Sequence, residues 1–161
     1  MELPNRKPTR LASYDYSNQN YYFITICTHN RLHLFGDVNK LNVFGEIAKT
    51  QLLNISNHFE GIYIDKYVIM PDHIHAIVVI GCGGKAERSR PFPTLSTVVR
   101  LYKSGVSKRI HEIYPNVEIW QKSFNDRIIR NEQGYLKICK YIYENPLNWS
   151  KYNNTQCRER S

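Results

Sequence analysis

No continuous apolar run in this chain approaches the roughly 18 residues that a membrane-spanning helix needs, so no transmembrane segment is expected. The opening Met1-Glu2-Leu3-Pro4-Asn5-Arg6-Lys7 is polar and leads into no apolar stretch of the secretory type, which makes the cytoplasm the expected location. Cysteine is scarce and scattered: Cys27, Cys82, Cys139 and Cys157 form no Cys-x-x-Cys pair, which argues against a disulfide framework or a thiolate zinc site. No Gly-x-x-x-x-Gly-Lys phosphate loop is present, so nothing points to nucleoside triphosphate chemistry. Acidic residues are outnumbered, with 14 Asp and Glu against 22 Lys and Arg for a formal charge of +8. A surface of that sign concentrates polyanions and favours nucleic acid as a partner.

What is present is one folded domain. The 161 residues fit a single compact unit, and 42 % apolar with 12 % aromatic residues is enough to build a core. The periodicity predicts seven elements. Residues 21–28 read as a buried strand, and residues 41–56 as an amphipathic helix. Two strands at 61–70 and 73–80 are separated only by Pro71-Asp72, the spacing of a hairpin. A basic glycine-rich loop over 81–91 leads to a helix at 95–112, then a short strand near 117–122. A last helix over 132–144 is expected to stop at Pro146, because the residue before proline disfavours helical geometry. The ends, about 1–15 and 150–161, read as flexible. This order contains the split βαβ arrangement, so the predicted fold is α+β: a ferredoxin-like antiparallel sheet with helices packed on it and an added C-terminal helix.

Two groups of residues carry chemistry. His73 and His75 alternate with Ile74 in a strand, so both imidazoles point to one face and can grip one cation. A His-x-His pair by itself is more often two hydrogen-bonded structural histidines than a pair of ligands, and two imidazoles are only part of a coordination sphere. Asp72 is the nearest acidic candidate for a third ligand, or else a cap for the hairpin turn. On the last helix Lys137, Tyr141 and Asn145 recur at four-residue spacing, beside the apolar stripe and not within it. A phenol ionises at about pH 10 in water, so a nucleophilic tyrosine needs a cation beside it, which Lys137 or a divalent metal would supply.

The segments Tyr67-Val68-Ile69-Met70-Pro71-Asp72-His73-Ile74-His75, Trp120 to Glu132, and Tyr141-Ile142-Tyr143-Glu144-Asn145-Pro146 closely resemble the single-tyrosine HUH transposases. Within that group the chain is most similar to the tyrosine transposases associated with repetitive extragenic palindromes (REP). The opening Tyr22 to Arg31 and Leu34-Phe35-Gly36 match as well, so the resemblance spans residues 6 to 150. It implies that His73 and His75 are metal ligands, that Asn145 is the third, and that Tyr141 is the nucleophile. It further implies a Mg²⁺ or Mn²⁺ cofactor and a substrate of single-stranded DNA folded into a hairpin. The reaction it implies is cleavage and rejoining through a covalent 5′-phosphotyrosine.

Basic residues are expected to hold the DNA backbone: Arg6, Lys7 and Arg10 at the start, Arg100 and Lys103 on the 95–112 helix, and Lys122, Arg127 and Arg130 before the last helix. Insertion-sequence relatives are dimers, whereas palindrome-associated members can act alone. A short polar tail after Pro146 makes a monomer the expectation over a homodimer. Two rival readings are a non-catalytic single-stranded nucleic-acid-binding protein and a metal-dependent hydrolase that uses activated water.

Overall fold

The computed structural model describes residues 20–81 and 92–159, with side chains as far as Trp149 at the carboxyl end. The expectations placed on residues 1–15 and on most of the 81–91 loop lie outside the described residues, as do Arg6, Lys7 and Arg10.

The chain order is β1 (Asn20–Cys27), a short 3-10 turn at His29–Arg31, a small ribbon of β2 (Gly36–Asp37) and β3 (Lys40–Leu41), α1 (Val43–Leu53), α2 (Ile55–His58), β4 (Ile62–Ile69), β5 (His73–Ile80), α3 (Leu95–His111), β6 (Asn125–Ile129) and α4 (Glu132–Glu159). Four strands form one sheet in the order β4-β5-β1-β6, and every neighbouring pair is antiparallel. With α1 and α3 as the crossover helices, this is the ferredoxin-like split βαβ order, as the sequence predicts.

Strand β5 is central and every one of its residues is buried. Alternation then gives the sheet two apolar faces. Ile74, Ala76, Val78 and Ile80 join Tyr22, Ile24 and Ile26 in a large core against Ala48 and Leu52 of α1 and Val98, Val99, Tyr102, Val106 and Ile110 of α3. Ile77 and Val79 face the other way, where they meet Ile129 of β6 and Ile138 and Ile142 of α4. His73 and His75 share this second face, so the sheet itself aims both imidazoles at α4.

Helix α4 starts under a cap in which Asn131 Oδ1 accepts from the Gly134 amide at 2.8 Å. It is tied to the sheet by the hydroxyl of Tyr135, which donates to the Asp65 carboxylate. The register of β4 on β5 shifts between Ile64 and Lys66, so Asp65 is the extra residue of a bulge, a local feature that re-aims a side chain.

Three sequence expectations need correction. Pro146 does not stop the last helix, which runs through it to Glu159. Proline removes one donor, that for the Ile142 carbonyl, and clashes with the preceding turn. Packing of Ile138 and Ile142 in the second core immediately before it outweighs that local preference. The fourth strand of the sheet, β6, lies at Asn125–Ile129 and not at 117–122. The 117–122 segment meets β1 through a single bridge, Thr28 to Trp120, while the true strand is a polar sheet edge whose Asp126 and Arg127 hide its pattern. The predicted 41–56 helix is two helices, because the chain breaks at Asn54.

Candidate active site

The turn Pro71-Asp72 is held by a loop from β1. The Thr28 amide donates to the Asp72 carbonyl at 3.0 Å and the Phe35 amide to the Pro71 carbonyl at 3.1 Å. Backbone at Asn30 (φ 52°) and Arg31 (φ 56°) takes the left-handed conformation, which asparagine tolerates and arginine adopts at a cost of about 1–2 kcal/mol. That conformation brings Arg31 back over the turn. Its Nε lies 3.1 Å from Asp72 Oδ2, and its Nη1 lies 2.8 Å from Cys27 Sγ.

Asp72 holds His73 in turn, with Oδ1 accepting from Nδ1 at 2.6 Å. Burial alone would raise the Asp72 pKa, but the His73 hydrogen bond and the Arg31 guanidinium pull it below the usual carboxylate range. Both carboxylate oxygens are therefore taken. Asp72 is neither a ligand nor a simple turn cap: it fixes the His73 ring so that Nε2, with its lone pair, faces outward.

His75 is pinned by the neighbouring strand. Thr25 is its direct partner in the β1–β5 register, and Thr25 Oγ1 lies 2.9 Å from His75 Nδ1. Burial, and after it the neighbouring His73 and Arg31, push the His75 pKa down to about 3, so this imidazole is neutral at any working pH. A neutral ring whose Nδ1 is occupied offers Nε2 to a cation. The two imidazole rings stand 4.6 Å apart between centroids. Phe23 stacks on His75 at 5.2 Å and forms the floor.

Helix α4 closes the site from the same chain. The Tyr141 ring, 52 % exposed, stands edge-on to His75 with centroids 5.2 Å apart and contacts Phe23 at 6.0 Å. Two turns further on, the Trp149 indole reaches His73 at 6.1 Å and His33 at 5.5 Å. Asn145 lies midway in sequence on this stripe, one turn from each, and is half-buried. Tyr143 is 77 % exposed.

Among the described residues no three His, Cys, Asp or Glu side chains converge as a metal cluster. Two imidazoles pinned through Nδ1 nonetheless fit a divalent cation by donor chemistry, and Asn145 is the oxygen-bearing side chain one turn from Tyr141 on α4.

The basic residues divide into two groups. Arg127, Arg130 and Lys137 line a groove of about 600 Å³ between the β6 edge and the first turns of α4, and Lys137 stands one turn before Tyr141. Arg100 and Lys103 lie on α3, against the opposite face of the sheet. Lys103 is half-buried and clamps the chain leading to β6, with Nζ donating to the carbonyls of Gln121 and Ser123 at 2.9 Å each. Burial lowers its pKa. Lys122 is exposed on the segment preceding β6.

Sequence reasoning did not single out Thr25, Arg31, Phe23, His33 or Trp149. Only Trp149 carried a signal, as the next member of the 137, 141, 145 series.

No protein-family model matches the chain. A solved REP-associated tyrosine transposase bound to a REP hairpin superposes with a TM-score of 0.62 at 19 % identity, covering 86 % of this chain and 73 % of that one. The chain has the REP-associated tyrosine transposase fold. A protein from Deinococcus radiodurans assigned as a transposase is similar at a TM-score of 0.50 and 18 % identity, covering 84 % of this chain and 95 % of its own. An uncharacterised protein of Haemophilus influenzae is 34 % identical over 166 residues, covering 92 % of each chain, and the two belong to one family. On this transposase fold the histidine rim and α4 are where the chemistry-bearing residues gather.

Proposed function

We propose that this protein is a metal-dependent single-stranded DNA transposase that cleaves and rejoins strands at hairpin-forming sites through Tyr141. The observation that carries the reading is the meeting, within one chain, of the Tyr141 ring and the pinned His75 and His73 pair. The hairpin held by the solved REP-associated transposase supports hairpin DNA as the substrate here. One chain supplies both imidazoles and the phenol, which supports a monomer as the working unit.

His73 and His75, through Nε2, and Asn145, through its carboxamide oxygen, would hold Mg²⁺ or Mn²⁺. Such an ion supplies positive charge that polarises the scissile phosphate and offsets the charge growing on its oxygens. Tyr141 supplies the nucleophile: its phenolic oxygen bonds to phosphorus while the bond from phosphorus to the 3′-oxygen breaks. The proton lost by the phenol is balanced by the one gained by the departing 3′-hydroxyl. The product is a 5′-phosphotyrosine, and a second 3′-hydroxyl reverses the step to join a new strand without nucleoside triphosphate. Lys137, one helical turn from Tyr141, is placed to meet the phosphate or the phenolate. The half-open setting of Tyr141 suits a group that must reach a polymer backbone.

The test incubates the protein with labelled hairpin single-stranded DNA and Mn²⁺ and looks for an adduct that survives denaturing electrophoresis. Tyr141→Phe should abolish the adduct and keep DNA binding, and His75→Ala should abolish it through loss of the ion. An adduct formed by the Tyr141→Phe protein would overturn the assignment and make Tyr143 the next candidate.

A further inference from the structure

We propose that the Trp149 indole, flanked by His33, is the stacking platform for an unpaired nucleobase next to the scissile phosphate. This rests on the reading of Tyr141 as the nucleophile and adds a binding subsite to it.

The indole is half-buried and stands at the open rim of the histidine site, on the side of His73 away from Tyr141. The His33 and His73 rings lie at 59° and 44° to it, so neither ring is stacked flat on the indole. A flat aromatic face that neighbouring rings meet only at an angle is what a nucleobase stacks upon. Position agrees with this. Trp149 is two helical turns, about 12 Å, from Tyr141 along α4. That length is spanned by about four nucleotides stacked at roughly 3.4 Å each, and by fewer in an extended strand. A strand whose phosphate sits at Tyr141 and passes over the ion therefore brings one of its next few bases to the indole.

Charge along the route is favourable as well. Arg31 is half-buried beside Asp72 and His33 is exposed, so this rim presents donors to a phosphate backbone, while both Asp72 oxygens are turned inward. Trp120, the other tryptophan, has no such setting. Its Nε1 donates to the Lys103 carbonyl at 3.1 Å and its ring packs on Phe35 and Tyr102 of the core.

With only two tryptophans in the chain, intrinsic fluorescence reads the platform directly. The probes are a DNA hairpin carrying four unpaired thymidines on each side of the stem, and a set of the same hairpins each with one flank nucleotide made abasic. The wild-type protein is titrated with each, without metal, and Trp149→Phe gives the Trp120 background. Expected is a quench with the intact flanks that disappears at one abasic position. Trp149→Ala should bind the intact hairpin about tenfold more weakly, the scale of one lost stack, and bind that abasic hairpin as the wild type does. A quench and affinity indifferent to every abasic position overturn the proposal. So does an equal loss on intact and abasic hairpins in Trp149→Ala, which would mean that the indole merely anchors α4. The titration is repeated on Tyr141→Phe, which forms no adduct, so a missing adduct in the wild type removes the nucleophile assignment and leaves the platform standing. Failure to bind any hairpin overturns both.

Discussion

At the scale of single residues the site is a chain of orientation, from a strained backbone to two imidazoles. Arg31 holds Asp72, Asp72 holds His73, and Thr25 holds His75. Partners that orient metal-binding imidazoles commonly contribute 10–100-fold in metal affinity, so Asp72→Ala should weaken Mn²⁺ binding by about that factor in a calorimetric titration. Arg31→Ala should act in the same direction through Asp72, and more weakly, because the Asp72–His73 bond survives it. If Asp72→Ala binds Mn²⁺ as tightly as the wild type, the carboxylate is not orienting a ligand. A different residue pair sets an alkaline limit on stability. The bond to Asp65, and after it burial, raises the Tyr135 pKa, so the folded state favours the neutral phenol more than the unfolded state does. Stability from this pair is fully present below the unfolded phenol value of about 10 and is lost as pH rises through the higher folded value. Melting curves should therefore show the wild type losing its advantage over Tyr135→Phe above about pH 10, and a constant difference from pH 7 to 11 would contradict the pairing.

At the scale of elements, α4 decides the geometry, because it carries Tyr141, Asn145 and Trp149 on one stripe. Pro146 sits inside that helix, lacking the amide that the Ile142 carbonyl would accept from. Pro146→Ala should restore it and raise stability by up to about 3 kcal/mol in a denaturant titration, whereas a helix that ended at Pro146 would gain nothing. The same proline marks where the sequence stopped being legible. His73 and His75 on one face, the Lys137-Tyr141-Asn145 series, the buried centre of β5 and the strand and helix order all follow from periods of 2 and 3.6, which a sequence displays. The continuation to Trp149 obeys the same period but is masked by a local rule that tertiary packing overrides. Thr25 and Arg31 are a different case. Their roles come from strand register and from two left-handed residues, and neither leaves a trace in spacing. The edge strand β6 is hidden for a third reason: it pairs on one side only, and its first three residues, Asn125, Asp126 and Arg127, are polar, so its composition reads as loop.

At the scale of the whole molecule, basic residues among the described ones lie on both faces of the sheet, with different consequences. Arg127, Arg130 and Lys137 share a groove that leads along α4 towards Tyr141, whereas Arg100 belongs to α3 on the far side. A strand lying in the groove would release counterions only from the first set. For single-stranded nucleic acid the slope of log affinity against log salt changes by about 0.7 for each phosphate contact. Arg127→Ala and Arg130→Ala should each flatten that slope by about 0.7 in fluorescence anisotropy titrations over roughly 50 to 300 mM salt. The Arg100→Ala slope should match the wild type, since an exposed charge across the sheet adds long-range attraction but no phosphate contact. Lys103→Ala should instead lower the melting temperature, because its ammonium holds the Gln121 and Ser123 carbonyls at the approach to β6. A salt slope that falls equally for Arg100 and Arg127 would mean that the DNA wraps both faces or docks through diffuse charge alone, and the groove would then lose its standing as the path to the nucleophile.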